Sequence, residues 1–90
     1  MLQIEFSAYS KKFIKKNQGS NPDLIKRLGL AIKALTNNPV PSGCKKLVGY
    51  PFYRIRIGNY RIVYRYDDKT LYIALVEKRD KIYSLLNKKL

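Results

Sequence analysis

The segment from Tyr53 to Tyr66 limits what this chain can become more than any other stretch. Two alternating runs, Tyr53-Arg54-Ile55-Arg56-Ile57 and Tyr60-Arg61-Ile62-Val63-Tyr64-Arg65-Tyr66, flank the dipeptide Gly58-Asn59. A period of two is the mark of a strand with one buried face, and a two-residue Gly/Asn connection is a hairpin turn. A two-residue loop dictates the register: Ile57 pairs with Tyr60, Arg56 with Arg61, Ile55 with Ile62, and Arg54 with Val63. Side chains alternate faces along a strand. Ile55, Ile57, Tyr60, Ile62 and Tyr64 therefore share the packing face, and Arg54, Arg56, Arg61 and Arg65 share the other. Arg56 and Arg61 become direct cross-strand neighbours, a like-charge pair that costs stability. A loop of odd length would break this register.

The remaining segments supply what packs on the hairpin. Leu2, Ile4 and Phe6 alternate with Gln3 and Glu5 as a short strand. Ser7 and Asn21 are helix N-caps, the second followed by Pro22 at the favoured first helical position. The spacing predicts helices over 7–17, with Phe13 and Ile14 inward, and over 21–37, with Leu24, Leu28, Ala31 and Leu35 inward beside Ile25 and Ile32. Val40 to Gly49 reads as a loop carrying the basic pair Lys45-Lys46. Leu71 to Val76 is a nearly continuous apolar run, as for a central strand covered on both faces. Residues 78–90 are basic and end in a short helix. The order β-α-α-β-β-β defines one α+β domain over residues 1–90: a twisted antiparallel sheet of about four strands with a helical hairpin on one face.

Charge narrows the function. Nineteen Lys and Arg stand against six Asp and Glu, a net charge of +13 on 90 residues. Such an excess repels itself and is suited to a polyanion, with nucleic acid ahead of an acidic protein and a membrane surface third. The chain has no His and only one Cys, Cys44. That excludes His-based triads and Cys/His zinc sites, and it fits a reducing compartment. The acidic residues are scattered, which disfavours a two-metal nuclease. No metal or other cofactor is expected. No apolar run reaches the roughly 18 residues of a membrane span, and the first residues lack the pattern of a signal peptide. A cytoplasmic protein is therefore expected.

A solvated outer face would also alternate in this way, but all four charged positions on the hairpin are arginine. The guanidinium is flat, always charged and able to bind two oxygens at once, which suits phosphate. It is a poor proton carrier, so a second kind of group must move protons. The late segment Glu77-Lys78-Arg79-Asp80-Lys81-Ile82-Tyr83 offers one in the Tyr83 phenol. With eight tyrosines in the chain, Tyr83 also fits a packing role. Lys45, Lys46, Lys78 and Lys81 join Arg54 and Arg65 as candidate RNA or phosphate contacts.

The strand Tyr53-Arg-Ile-Arg-Ile-Gly-Asn-Tyr-Arg-Ile-Val-Tyr64, followed by the apolar strand and by Lys78-Arg-Asp-Lys-Ile-Tyr83, resembles the signature of the RelE/ParE toxin superfamily. The opening strand, the helical hairpin and the length agree with it, so the resemblance spans essentially the whole chain. It implies a toxin of a type II toxin–antitoxin system. The RelE-type members are metal-independent endoribonucleases that cut mRNA in the ribosomal A site, using the RNA's own 2′-hydroxyl as nucleophile. Carried over, the strand positions fall on Arg54 and Arg56, the arginine after the hairpin tyrosine on Arg61, the late arginine on Arg79, and the terminal tyrosine on Tyr83. The catalytic set implied is thus Arg56, Arg61, Arg79 and Tyr83. The positions before the turn are often lysine in RelE toxins, where this chain has arginine. ParE-type members share the fold but poison DNA gyrase and cut no RNA. A non-catalytic module that binds RNA or the ribosome is the third reading. The resemblance also implies an acidic antitoxin as partner.

Overall fold

A computed structural model describes residues 1–89. The order is β1 (Gln3–Phe6), α1 (Ala8–Gln18), α2 (Pro22–Asn37), β2 (Lys45–Lys46), β3 (Tyr53–Ile57), β4 (Tyr60–Tyr66), β5 (Thr70–Lys78) and α3 (Arg79–Lys89). The strands form one sheet in the order β1-β5-β4-β3-β2. Both expected caps are present: the Ser7 and Asn21 side chains accept from the backbone N–H of Ser10 and Leu24. Among the described residues no helix is long and apolar enough to cross a membrane.

The hairpin forms in the expected register, with Ile57 opposite Tyr60, Arg56 opposite Arg61 and Ile55 opposite Ile62. Gly58 takes φ +59°, and among the described residues no non-glycine has a positive φ. A positive φ at the first central residue alone is the type II′ pattern, whose twist matches that of the flanking strands. Ile55, Ile62 and Tyr64 are buried against Leu24, Leu28, Ile32 and Leu35 of α2. The apolar stripe read from the sequence is therefore the stripe that packs.

The sheet differs from the expectation in three ways. It has five strands, because Lys45-Lys46 pairs with Arg54 and Tyr53 as a short edge strand where a loop was expected. It is mixed, because β1 runs parallel to β5. Parallel pairing needs a long crossover, here the helical hairpin and everything after it, and no local signal marks it. The third difference is a bulge. Val63 pairs with Leu75 but Tyr64 with Ile73, which leaves Ala74 as the extra residue. Ala74 and Leu75 consequently both face the side opposite the helical hairpin. The bulge carbonyls are taken up by the start of α1: Ser10 Oγ donates to Ile73 O at 3.1 Å and Ser7 Oγ to Ala74 O at 2.6 Å.

The second face is also covered. α3 is longer than the short terminal helix expected and starts directly after β5. Its Ile82 and Leu86 are buried against Phe52, Val63, Ala74 and Leu75. Each such aliphatic side chain contributes about 1.5–3 kcal/mol on burial. This explains the apolar run of β5, a strand flanked by β1 and β4 and covered above and below.

Gly58→Ala should cost about 1–2 kcal/mol, because an L side chain strongly disfavours this positive φ. The check is the thermal midpoint, which should fall by roughly 4–8 °C per kcal/mol in a chain of this size. An unchanged midpoint would remove the turn from its place as the register-setting element.

Candidate active site

The site is built from the end of the hairpin and the first turns of α3. β3 and β4 place Arg54, Arg56 and Arg61 on the face that α3 partly covers, with Arg56 and Arg61 directly paired. The Arg79 backbone N–H donates to Asn59 O at 2.8 Å, which pins the start of α3 to the hairpin turn. One helical turn later stands Tyr83, 46% exposed. The five side chains form one electrostatic cluster. The Arg61 guanidinium is held below the usual arginine range, first by burial, then by the cations Arg56 and Arg54, with Arg79 adding a smaller push in the same direction. Tyr83 acts oppositely on it.

The arginines are not equivalent. The sequence places all four on one outer face, but Arg54 and Arg61 are only 4% and 7% exposed, whereas Arg56 lies open. Arg61 Nη1 donates to Gly58 O and to Tyr60 O, both at 2.9 Å. It closes the turn with one nitrogen, and a guanidinium carries three further N–H donors. Arg54 lies deeper, and its Nε is buried with no hydrogen-bond partner. It supplies a positive field from beneath rather than an open binding arm. Arg79 is exposed and lies 3.7 Å from the Asp80 carboxylate.

The remaining candidates separate. Lys45 pairs across from Arg54 and so shares the site's face, at the sheet edge. Lys46 pairs with Tyr53 on the opposite face, its ammonium 6.0 Å from that ring. Arg65 sits four residues along β4 from Arg61, about 13 Å at strand rise. Its guanidinium stacks 4.7 Å over Tyr72. Lys78 and Lys81 are exposed on the other flank, around a cleft of about 410 Å³ that reaches α1. Tyr9, Phe13 and Tyr60 of that cleft carry no mark of a site in the local sequence. Tyr9 donates to Glu77 at 2.7 Å across 68 residues of chain, and no local pattern announces such a pair. Among the described residues, no three His, Cys, Asp or Glu side chains gather as a metal site would need.

Two substitutions separate stability from chemistry here. Arg61→Ala removes a nearly buried side chain and both turn hydrogen bonds, and should destabilise by about 1–3 kcal/mol. Arg79→Ala, on an exposed group, should stay within about 0.5 kcal/mol of the parent. Urea unfolding of both variants checks this, and equal stabilities would contradict the burial of Arg61.

Comparison with known proteins agrees with this architecture. The family described as ParE toxin of type II toxin-antitoxin system, parDE, matches residues 5–83. Toxin RelE3 of Methanocaldococcus jannaschii is 34% identical over 80 residues, covering 83% of this chain and 91% of the relative. The YoeB–YefM complex from Staphylococcus aureus contains a chain of the same fold, with TM-score 0.75 and 27% identity over 88% of this chain and 98% of that one. YafQ from E. coli, at 19% identity, shares the fold with TM-score 0.72 over 92% of this chain and 99% of its own. The chain belongs to the RelE/ParE superfamily and is a toxin of a type II toxin–antitoxin system.

Proposed function

We propose that this toxin is a metal-independent endoribonuclease that enters the ribosomal A site, cuts mRNA there and so stops translation in the cytoplasm. The observation that carries this reading is the convergence of Arg56, Arg61, Arg79 and Tyr83, with Arg54 beneath, on one half-roofed face. In the reaction the RNA 2′-oxygen forms a bond to the adjacent phosphorus, and the bond from phosphorus to the 5′-oxygen of the next nucleotide breaks. The 2′-hydroxyl loses a proton and the departing oxygen gains one. Arg56 and Arg61 hold the phosphate and oppose the charge that builds on it. Arg79 neutralises the leaving side. Tyr83 is the one member of the cluster suited to giving or taking a proton, since its companions are guanidiniums.

A chain at +13 that harms its host needs restraint. YoeB is seen bound to YefM. By the same logic an acidic antitoxin, folding onto the basic face, is the expected partner here, with fast and salt-sensitive association. A second reading has its own support, since the matching family carries the ParE name. In that reading the target is DNA gyrase and the arginine face is a docking surface.

Ribosomes programmed with a defined mRNA and, separately, a gyrase supercoiling assay decide between the two. Cleavage of the message with supercoiling untouched is expected. Arg79→Ala should lower the cleavage rate by about 10²–10³ while the protein stays folded. Tyr83→Phe removes only a hydroxyl and should also cut far more slowly. Parental speed from Tyr83→Phe would make Tyr83 a packing residue. Intact mRNA together with blocked supercoiling would replace the nuclease by the gyrase poison.

A further inference from the structure

Beside the arginine cluster, where β4 begins and β5 ends, α1 and α3 enclose the cleft of about 410 Å³. Its rim carries four exposed lysines, Lys12 and Lys16 from α1, Lys78 from β5 and Lys81 from α3. Its wall is aromatic. Phe13 and Tyr60 meet edge-on, with centroids 5.9 Å apart and planes at 69°. An edge contact of this kind covers one face of one ring only, so ring faces remain for a third flat group. The floor is Glu77, whose carboxylate is fixed by Tyr9, donating to Oε1 at 2.7 Å, and by the Lys78 N–H, donating to Oε2 at 2.8 Å. A carboxylate offers about four acceptor positions, so two stay open after these bonds. Burial, and then the bond to Glu77, push the Tyr9 phenol up to about 12, so it remains a donor.

The cleft runs into the active site. Tyr60 and Lys78 also line an adjoining hollow of about 350 Å³ with Asn59, Arg79 and Asp80. Their chain neighbours Arg61 and Arg79 belong to the arginine cluster. Cations at the rim, a ring face in the wall and a fixed acceptor at the floor match the three parts of a nucleotide: phosphate, base plane and base edge. We propose that this cleft binds one unpaired nucleotide of single-stranded RNA, its phosphate on the lysines and its base against Tyr60 and Phe13. Glu77 accepts from an exocyclic amine and so favours cytosine over uracil. The choice of RNA rests on the nuclease reading above. An acidic polypeptide would also meet the lysines, but it would leave the ring faces unused and set its carboxylates against Glu77.

Binding of the full-length protein to labelled ten-nucleotide oligocytidine and oligouridine, without ribosomes, tests the cleft separately from cleavage. The double variant Lys12→Ala/Lys16→Ala should weaken binding and lower the slope of log affinity against log salt by about 0.7, the amount for one lost phosphate contact. Tyr60→Leu should lose about fivefold or more. Glu77→Gln should bring the cytosine-to-uracil ratio towards one. Because Tyr60 is half-buried, circular dichroism accompanies its variant, and the lysine pair, exposed on α1, keeps the test decisive if that variant unfolds. Parental affinity and salt slope in the lysine variant would overturn the proposal, even for a protein that cuts mRNA. So would tighter binding of a polyglutamate peptide that depends on the lysines and ignores Tyr60→Leu. A protein that binds RNA through the cleft but never cuts on ribosomes would keep the cleft and remove the nuclease. Co-sedimentation of the lysine variant with ribosomes separates two sources of the nucleotide. Weakening only with mRNA present points to the message, and weakening in both cases points to ribosomal RNA.

Discussion

Everything else in this protein depends on the two-residue turn at Gly58-Asn59. It locks β3 to β4 so that one face of the hairpin is apolar and the other holds a like-charge pair, Arg56 opposite Arg61. A slip by one residue would send Ile55 and Ile62 to the wrong side and arginines into the helical core. The apolar face therefore enforces the register, and the register forces the cations together. Arg61 completes the arrangement by donating to Gly58 O and Tyr60 O. A residue that gathers charge at the site is thus also a bolt on the turn that creates it.

The crowded cations lie on the face of the sheet where α3 docks. Ile82 and Leu86 dock on Val63 and Leu75, on the face of the sheet that also holds the nearly buried Arg54 and Arg61, while Arg56 and Arg79 stay open. The partly dry setting strengthens any electrostatic contact with a bound anion, and equally the repulsion among the arginines without one. The resulting face is preorganised for negative charge. The helix that roofs it also brings Arg79 and Tyr83, so the apolar contacts of α3 position the residues proposed for chemistry. The bulge at Ala74 belongs to the same device. It turns two consecutive small and medium apolar residues towards α3, and the hydroxyls of Ser7 and Ser10 take its displaced carbonyls.

The aromatic and basic cleft next to the arginines continues the cationic surface beyond the hairpin. Its parts come from α1, β4, β5 and α3. Four elements meeting at one end of the sheet create a continuous cationic path from Lys12 and Lys16 to Arg79, with ring faces and one fixed carboxylate along it.

Local sequence determined much of this protein. The period-two runs and Gly58-Asn59 determined the hairpin, its register and the identity of its two faces, because a strand's alternation and a two-residue loop leave no freedom. Ser7, Asn21 and Pro22 determined where the helices begin, since capping is a matter of a few adjacent residues. The cationic residues of the site were legible because they recur as a spaced pattern on the strand and after it. Tertiary structure alone decided the rest. β1 lies parallel beside β5, although they are separated by most of the chain. Lys46 and Lys45 fall on opposite faces of an edge strand too short to carry a periodic signal. Arg54 and Arg61 are buried rather than solvated, because exposure depends on what the rest of the fold packs around a strand. Tyr9 reaches Glu77, and Phe13 reaches Tyr60, through contacts between distant segments. Periodicity and capping act within a few residues and leave a local trace, whereas covering a face and pairing distant side chains depend on packing free energies shared by the whole fold.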